Sequence, residues 1–187
     1  MPKNFIVSYA VYGALYNGNS ESAAAFDVST ELDALLNAQG STGIVQCGNN
    51  LKGDPAQGNK KHFGALVNDR FYACEEGQTI DFSQGGGLSA GEPGPDRVSL
   101  VVQFAVYGAL AGGDKNKAQA FDVTALLQAE LNLHGGTVTC GNSLFGDPSP
   151  NNQKHFAAVI TRHDLANYGF ACAEGQTIVF NYTGGYF

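Results

Sequence analysis

Two loops of the chain carry oxygen-bearing side chains that could hold a metal ion. Each loop contains a Gly-Asp-Pro sequence, at 53–55 and at 146–148, with asparagine shortly before it. Ca²⁺ takes six to eight oxygen ligands, which glycine-rich loops at the end of a β-structure can supply. Each loop has few carboxylates, so a complete site would need a further acidic residue from outside it. The candidate ligands are Asn49, Asp54, Asn142, Asp147, Asp27 and Asp122.

The same residues also have a structural interpretation. Gly-Asp-Pro is a good turn sequence, and asparagine side chains bond to their own backbone. Asp27 and Asp122 each precede a predicted helix, where a carboxylate accepts backbone N–H groups. The sequence therefore leaves two interpretations open, a Ca²⁺ site and a metal-free turn.

Two glutamates raise the alternative of a hydrolase. Glu76 and Glu174 lie in Glu-Gly-Gln sequences, which are typical of hairpin turns. If either faces Asp54 or Asp147, the two carboxylates could act as the acid and base of a glycosidase-like site. Such an enzyme needs a deep cleft and a carboxylate of raised pKa. The spacing does not fix the separation of these groups, and we predict no catalytic residue.

Lys61-His62 and Lys154-His155 each begin a predicted strand. A Cys–His nucleophile would need His62 beside Cys47 and a third group to orient it. The spacing does not indicate such a site. The pattern instead predicts a solvated lysine and a histidine at a strand edge.

The four cysteines occur as two pairs at matching places. If their strands adjoin, Cys47–Cys74 and Cys140–Cys172 could form disulfides, which would indicate an oxidising, extracellular location. Buried free thiols are the alternative, because cysteine packs well as a small apolar residue. Zinc is disfavoured, since the sequence has no CxxC pair.

The chain contains two similar copies of one sequence. Tyr12-Gly13 corresponds to Tyr107-Gly108, and ACEEGQTIDF at 73–82 corresponds to ACAEGQTIVF at 171–180. The differences in length lie in turns, as expected of two copies that fold alike. Residues 84–97 are rich in Gly, Pro and Ser, which predicts a linker. We therefore place two domains, at 3–83 and at 98–187.

In each copy the sequence pattern predicts several short strands and one short helix. The glycine-rich, charge-poor composition favours strands and turns, while leucines at 32–36 and 127–131 have helical spacing. We predict a mainly β protein, a tandem repeat of two small β-sandwich-like domains with one short helix each. An α+β arrangement, in which the helix packs on an antiparallel sheet, is the alternative.

Composition excludes some classes of function. The 187 residues carry a formal net charge of −7 and lack the Lys/Arg clusters that nucleic-acid binding requires. No stretch approaches the ~20 apolar residues of a membrane-spanning helix. The first residues lack the apolar core of a signal peptide, so we expect a cytosolic protein, a mature form or release by another route.

One family resemblance rests on short motifs. Its residues in the second copy are Tyr107-Gly108, Asp122-Val123-Thr124, Gln128, Phe145-Gly146-Asp147-Pro148, Lys154, Glu174 and Ile178. With them the copy resembles a small domain at the C-terminus of a mitochondrial DnaJ-type co-chaperone, also found in scattered bacterial and fungal proteins. The first copy departs from the motif at Ser29 and Lys52. The resemblance implies a β-rich module and carries no established chemistry.

These observations favour a non-enzymatic binding protein. We expect a lectin-like or toxin-like protein that recognises a glycan or a membrane surface through loops that hold Ca²⁺. Two copies give two similar sites, and joining weak sites raises avidity without new contacts. The alternatives are the hydrolase with loop carboxylates and an assembly module that pairs its sheet edges with a partner chain.

Overall fold

The computed structural model describes residues 4–90, 100–181 and 185–186. The N-terminal half contains β1 (Val7–Leu15), β2 (Ala23–Asp27), α1 (Ser29–Asn37), β3 (Ile44–Gln46), β4 (His62–Val67), β5 (Arg70–Glu75), β6 (Thr79–Asp81) and β7 (Gly87–Leu88). The C-terminal half contains β8 (Val101–Leu110), β9 (Ala118–Asp122), α2 (Thr124–His134), β10 (Thr137–Thr139), α3 (Asn142–Phe145), β11 (His155–Thr161), β12 (Asn167–Ala173), β13 (Thr177–Val179) and β14 (Gly185–Tyr186). Strands account for 41% of the structure and helices for 18%, which confirms the mainly β prediction. Among the described residues, no helix has both the length and the apolar character to cross a bilayer.

Each half contains a five-stranded antiparallel sheet and a two-stranded sheet. The strand order is β2-β1-β4-β5-β7 in the first large sheet and, equivalently, β9-β8-β11-β12-β14 in the second. The small sheets pair β3 with β6 and β10 with β13. Helices α1 and α2 pack on β1 and β8 respectively, beside the small sheets. Each half thus has a helix on an antiparallel sheet, as the α+β alternative describes, while the structure as a whole is mainly β and sandwich-like, as predicted.

An apolar core lies between each large sheet and its helix. In the N-terminal half Tyr12, Leu32 and Ile80 belong to this core, and all are fully buried. Leu110 from the other half joins them, and Leu15 from the N-terminal half joins the corresponding core of the C-terminal half. The two cores therefore draw on both halves of the chain.

A third core lies where the two large sheets pack face to face. Val11, Phe71, Phe104 and Val159 contribute to it, and the rings of Phe71 and Phe104 stack with centroids 5.8 Å apart. Because both faces of these sheets are covered, their central strands are nearly continuous apolar runs. Backbone hydrogen bonds also join the halves. The division into domains at 3–83 and 98–187 stays a prediction, since the halves share this core.

The segment predicted as a linker, 84–97, contributes a strand to the fold. Strand β7 pairs with β5, with Leu88 opposite Arg70 and Gly87 opposite Phe71. It also lies against β9, so closely that a side chain at Gly87 would overlap the carbonyl of Ala120. Glycine at this position therefore permits the close approach of two backbones. Residues 91–97 of the predicted linker lie outside the described residues.

Candidate functional site

Both Gly-Asp-Pro loops lie at the same end of the molecule. Each loop leads into a strand whose first residue is a histidine, His62 of β4 or His155 of β11. The Nδ1 atoms of these two histidines are 2.9 Å apart. The loops at 48–61 and 141–154 are therefore neighbours, and we call these two segments the loop end.

In the N-terminal half a buried lysine bridges two carboxylates. Lys61 Nζ is 3.1 Å from Asp54 Oδ1 and 3.2 Å from Glu76 Oε1, and only 5% of the lysine side chain is exposed. The Tyr12 hydroxyl lies 2.8 Å from Glu76 Oε1 and 2.9 Å from Asn49 Oδ1. The prediction of a solvated lysine is wrong, because two carboxylates compensate for the burial of its charge.

The C-terminal half repeats this cluster with the same residue types. Lys154 Nζ is 3.1 Å from Asp147 Oδ1 and 3.4 Å from Glu174 Oε2, and 4% of its side chain is exposed. The Tyr107 hydroxyl donates to Asn142 Oδ1 at 2.9 Å. The loop end therefore presents two equivalent polar clusters, each with an asparagine and an aspartate at the surface.

Glu76 is held in its ionised form by its neighbours. Partial burial alone would raise its pKa, but hydrogen bonds from Tyr12 and Lys61 outweigh this effect and lower the pKa below the usual glutamate value. Burial, followed by the bond to Glu76, raises the pKa of Tyr12, so this phenol stays protonated. A catalytic acid requires the opposite shift of a carboxylate pKa. The cluster therefore resembles a stable ion-pair network more than an acid–base pair.

Neither of two cavities in the described part of the chain is lined by a residue of these clusters. One, of about 520 Å³, is lined by polar side chains, Arg70 and three aromatic residues, but by no carboxylate. The other, of about 490 Å³, has Asp122 as its one carboxylate. Neither cavity contains the pair of carboxylates that the hydrolase alternative requires.

The predicted Ca²⁺ ligands make other contacts. In each cluster the lysine ammonium lies beside the carboxylates that a divalent cation would need. Asp27 Oδ1 accepts a hydrogen bond from Ser29 N at 2.8 Å, and Asp122 Oδ1 accepts one from Thr124 N at 3.0 Å, as the helix-start interpretation expects. Among the described residues, no group of three or more His, Cys, Asp and Glu is arranged to hold a metal ion. The Ca²⁺ site stays a prediction that this arrangement does not support.

Each half contains two neighbouring buried thiols. Cys47 lies close to Cys74 in one core, and Cys140 lies close to Cys172 in the other. All four are free cysteines in this structure. Burial, more than the neighbouring thiol, raises the pKa of Cys74 and of Cys140, so both stay protonated and unreactive as nucleophiles. The structure thus brings together the predicted partners, while disulfide formation stays a prediction.

The contact between His62 and His155 was not predicted from the sequence. Both residues are buried, their ring planes differ by 23°, and one Nδ1–H donates to the other Nδ1 when both are neutral. Burial is the main cause that lowers the pKa of His62 to about 3 and that of His155 to about 4. The available signal was their identical position in the two copies. Equivalent residues meet where a pseudo-two-fold axis passes between two copies.

No protein-family model, no curated protein and no solved structure matches this chain. The resemblance to the domain of a DnaJ-type co-chaperone therefore stays a prediction from short motifs. Because a fold alone does not specify a function, the function has to be argued from the site.

Proposed function

We propose that the protein is a non-enzymatic, lectin-like binding protein whose loop end recognises a glycan. The observation that carries this proposal is the pair of equivalent, exposed polar loops at one end of the molecule. Asn49 and Asp54 in one loop and Asn142 and Asp147 in the other are exposed. Sugar hydroxyls both donate and accept hydrogen bonds, and amide and carboxylate side chains complement both roles.

The loops are held in shape by their own hydrogen bonds. Asp54 Oδ1 accepts from Ala56 N at 3.1 Å, and Asn59 Oδ1 accepts from Asn17 N at 2.8 Å, which ties the loop to a neighbouring turn. The equivalent bonds recur in the second loop. A loop that is already ordered loses little conformational entropy when it binds, so even a small polar contact area can give useful affinity.

The arrangement of the two loops favours a ligand with repeated units. They flank the contact of His62 with His155, so a branched or polymeric glycan can reach both loops at once. Two linked weak sites can exceed the affinity of either by ~10²–10⁴ when the geometry permits simultaneous contact. This bivalency is the physical advantage of two copies in one chain.

The alternatives receive less support from the same geometry. A hydrolase lacks a carboxylate pair in a described cavity, and the lowered pKa of Glu76 is unsuitable for a catalytic acid. Ca²⁺-dependent binding to a membrane or glycan would require the metal to compete with Lys61 for its two carboxylates. An assembly module would use the edge strands β2, β7, β9 and β14, but within the chain β7 lies against β9 and β14 lies against β2.

A glycan array probed with the labelled protein tests the proposal. The informative variants are Asn49→Ala, Asn142→Ala and the double variant, because each removes an exposed loop amide. His163→Ala is the matched control, since this exposed residue lies beyond the far end of β11. Thermal unfolding monitored by circular dichroism establishes that each variant is folded.

We expect at least one class of glycan to bind, a loss of about tenfold or more in each single variant, and loss of detectable binding in the double variant. His163→Ala should bind like the wild type. Equal binding by all variants, or no binding to any glycan, would contradict the proposal. Repeating the assay with Ca²⁺ and with EDTA separates metal-dependent from metal-independent recognition, and vesicles of anionic lipid test the membrane alternative.

A further inference from the structure

An apolar groove lies between β7 and the C-terminal half, and none of the asparagines and aspartates of the proposed glycan site lines it. Its volume is about 490 Å³. Three large apolar side chains line it and remain accessible: Leu88 is 68% exposed, Phe121 44% and Leu126 46%. Phe145, which is buried, lines it from below. Exposed apolar side chains that share one concave surface are a typical feature of a ligand site.

The corresponding place in the N-terminal half is occupied by an ion pair. Glu31 stands where the second copy has Leu126, and Lys52 stands where it has Phe145. Lys52 Nζ is 3.3 Å from Glu31 Oε1. Since both halves have the same strand order, the fold does not need apolar residues at these two positions. Leu126 and Phe145 are therefore apolar for a reason other than the fold, which points to a role for the groove that they line.

The groove offers little to a charged ligand. Asp122 is the one charged residue among its described lining. Its Oδ1 accepts from Thr124 N at 3.0 Å, while its Oδ2 accepts from Ser89 Oγ at 3.0 Å and from Ala90 N at 2.9 Å. Both carboxylate oxygens are therefore occupied, and the free surface that remains is apolar.

The size of the groove indicates whether a protein or a small molecule fits it. Stable protein–protein interfaces involve roughly 20–30 residues on each side, whereas eight of the described residues line this groove. A volume of about 490 Å³ lies within the range of small-molecule sites, which is roughly 300–1,000 Å³. We propose that this groove, which shares Phe145 with the loop end but none of the asparagines and aspartates of the glycan site, binds a small apolar molecule.

Fluorescence titration with the uncharged probe N-phenyl-1-naphthylamine tests this proposal on the full chain. An uncharged probe avoids repulsion by the net charge of −7. Leu126→Glu introduces the residue that the first copy has at this position. Leu133→Glu is the matched control, because Leu133 is 75% exposed on the same helix, α2, but does not line the groove. Leu88→Ser gives a second groove variant on another element.

We expect one probe molecule per wild-type chain, at least a tenfold loss of affinity in Leu126→Glu and in Leu88→Ser, and unchanged affinity in Leu133→Glu. The proposal is overturned if the wild type does not bind the probe, or if all three variants lose affinity equally. It is also overturned if sedimentation shows a dimer that Leu126→Glu dissociates, because a second copy would then occupy the groove. Asn49→Ala, in the loop that does not contribute to the groove, should leave probe binding unchanged, which keeps this test separate from that of the glycan proposal.

Discussion

The contact between His62 and His155 makes the stability of the protein depend on pH. Both rings are buried between the two halves, with their Nδ1 atoms 2.9 Å apart. The neutral pair shares one N–H···N hydrogen bond, and a first added proton can leave that bond in place. A second proton would set two N–H groups against each other, so the two histidines titrate as a coupled pair. Acidification should therefore weaken the folded state through this contact.

The direction and size of the effect follow from the pKa values. In the unfolded chain each histidine takes up a proton near its ordinary pKa of 6.5, whereas burial holds the pKa at about 3 for His62 and about 4 for His155. The stabilisation is complete above pH 6.5 and is lost as the pH falls toward these values. One pKa unit corresponds to about 1.4 kcal/mol. For two histidines we expect the free energy of unfolding to fall by on the order of 3 kcal/mol between pH 7 and pH 5.

Urea denaturation from pH 7.5 to pH 5 measures this dependence. Tyrosine fluorescence and circular dichroism are suitable signals, because the chain has eight tyrosines and no tryptophan. The double variant His62→Asn/His155→Asn should lose less than about 1 kcal/mol over this range, while His163→Asn should behave like the wild type. The lowered pKa of Glu76 acts only below its ordinary value of 4.5, outside this window. An equal loss in the wild type and in the double variant would refute the reasoning.

Two further predictions concern the packing of the halves and the buried lysine. A Cβ at Gly64 would lie 2.5 Å from the Cβ of Ala157 and 2.6 Å from Val106 Cγ1, so Gly64→Ala should lower the free energy of unfolding by about 1–3 kcal/mol. Because Ala157→Gly removes one of these two overlaps, the losses of Gly64→Ala and Ala157→Gly should not add in the double variant, and strictly additive losses would contradict the face-to-face packing. Lys61→Met leaves two carboxylates facing each other, so it should lower the free energy of unfolding by about 2–4 kcal/mol at pH 7 and by less at pH 4. Lys60→Met, which removes an exposed ion pair, should lower it by less than about 1 kcal/mol. Equal losses of the two variants in urea denaturation would show that the bridge of Lys61 contributes little.

The sequence predicted what depends on local pattern. Strand alternation and glycine-rich turns gave the mainly β fold. The burial of Lys61 could not be predicted in this way. Its two carboxylate partners lie 7 and 15 positions away in the chain, and only the approach of the turn at Glu76 to the loop brings them together. A charged residue at the start of a strand is usually solvated, and tertiary contacts reversed that expectation here.

The packing of the two halves against each other was not predicted from the sequence. A linker rich in Gly, Pro and Ser predicts separate domains, but it gives no information about whether each large sheet has a second apolar face. The continuous apolar runs in β1 and β8 were the available evidence, because a sheet covered on one face only would alternate more strictly. The contact of His62 with His155 follows from that packing and from no local pattern.

The central claim is that the loop end provides two equivalent glycan sites. Isothermal titration calorimetry with a monovalent form of the best glycan on the array tests it most directly. We expect two glycan molecules bound per wild-type chain and one per chain of Asn49→Ala or of Asn142→Ala. A stoichiometry of one in the wild type that neither variant changes would contradict it, and so would the absence of any binding heat.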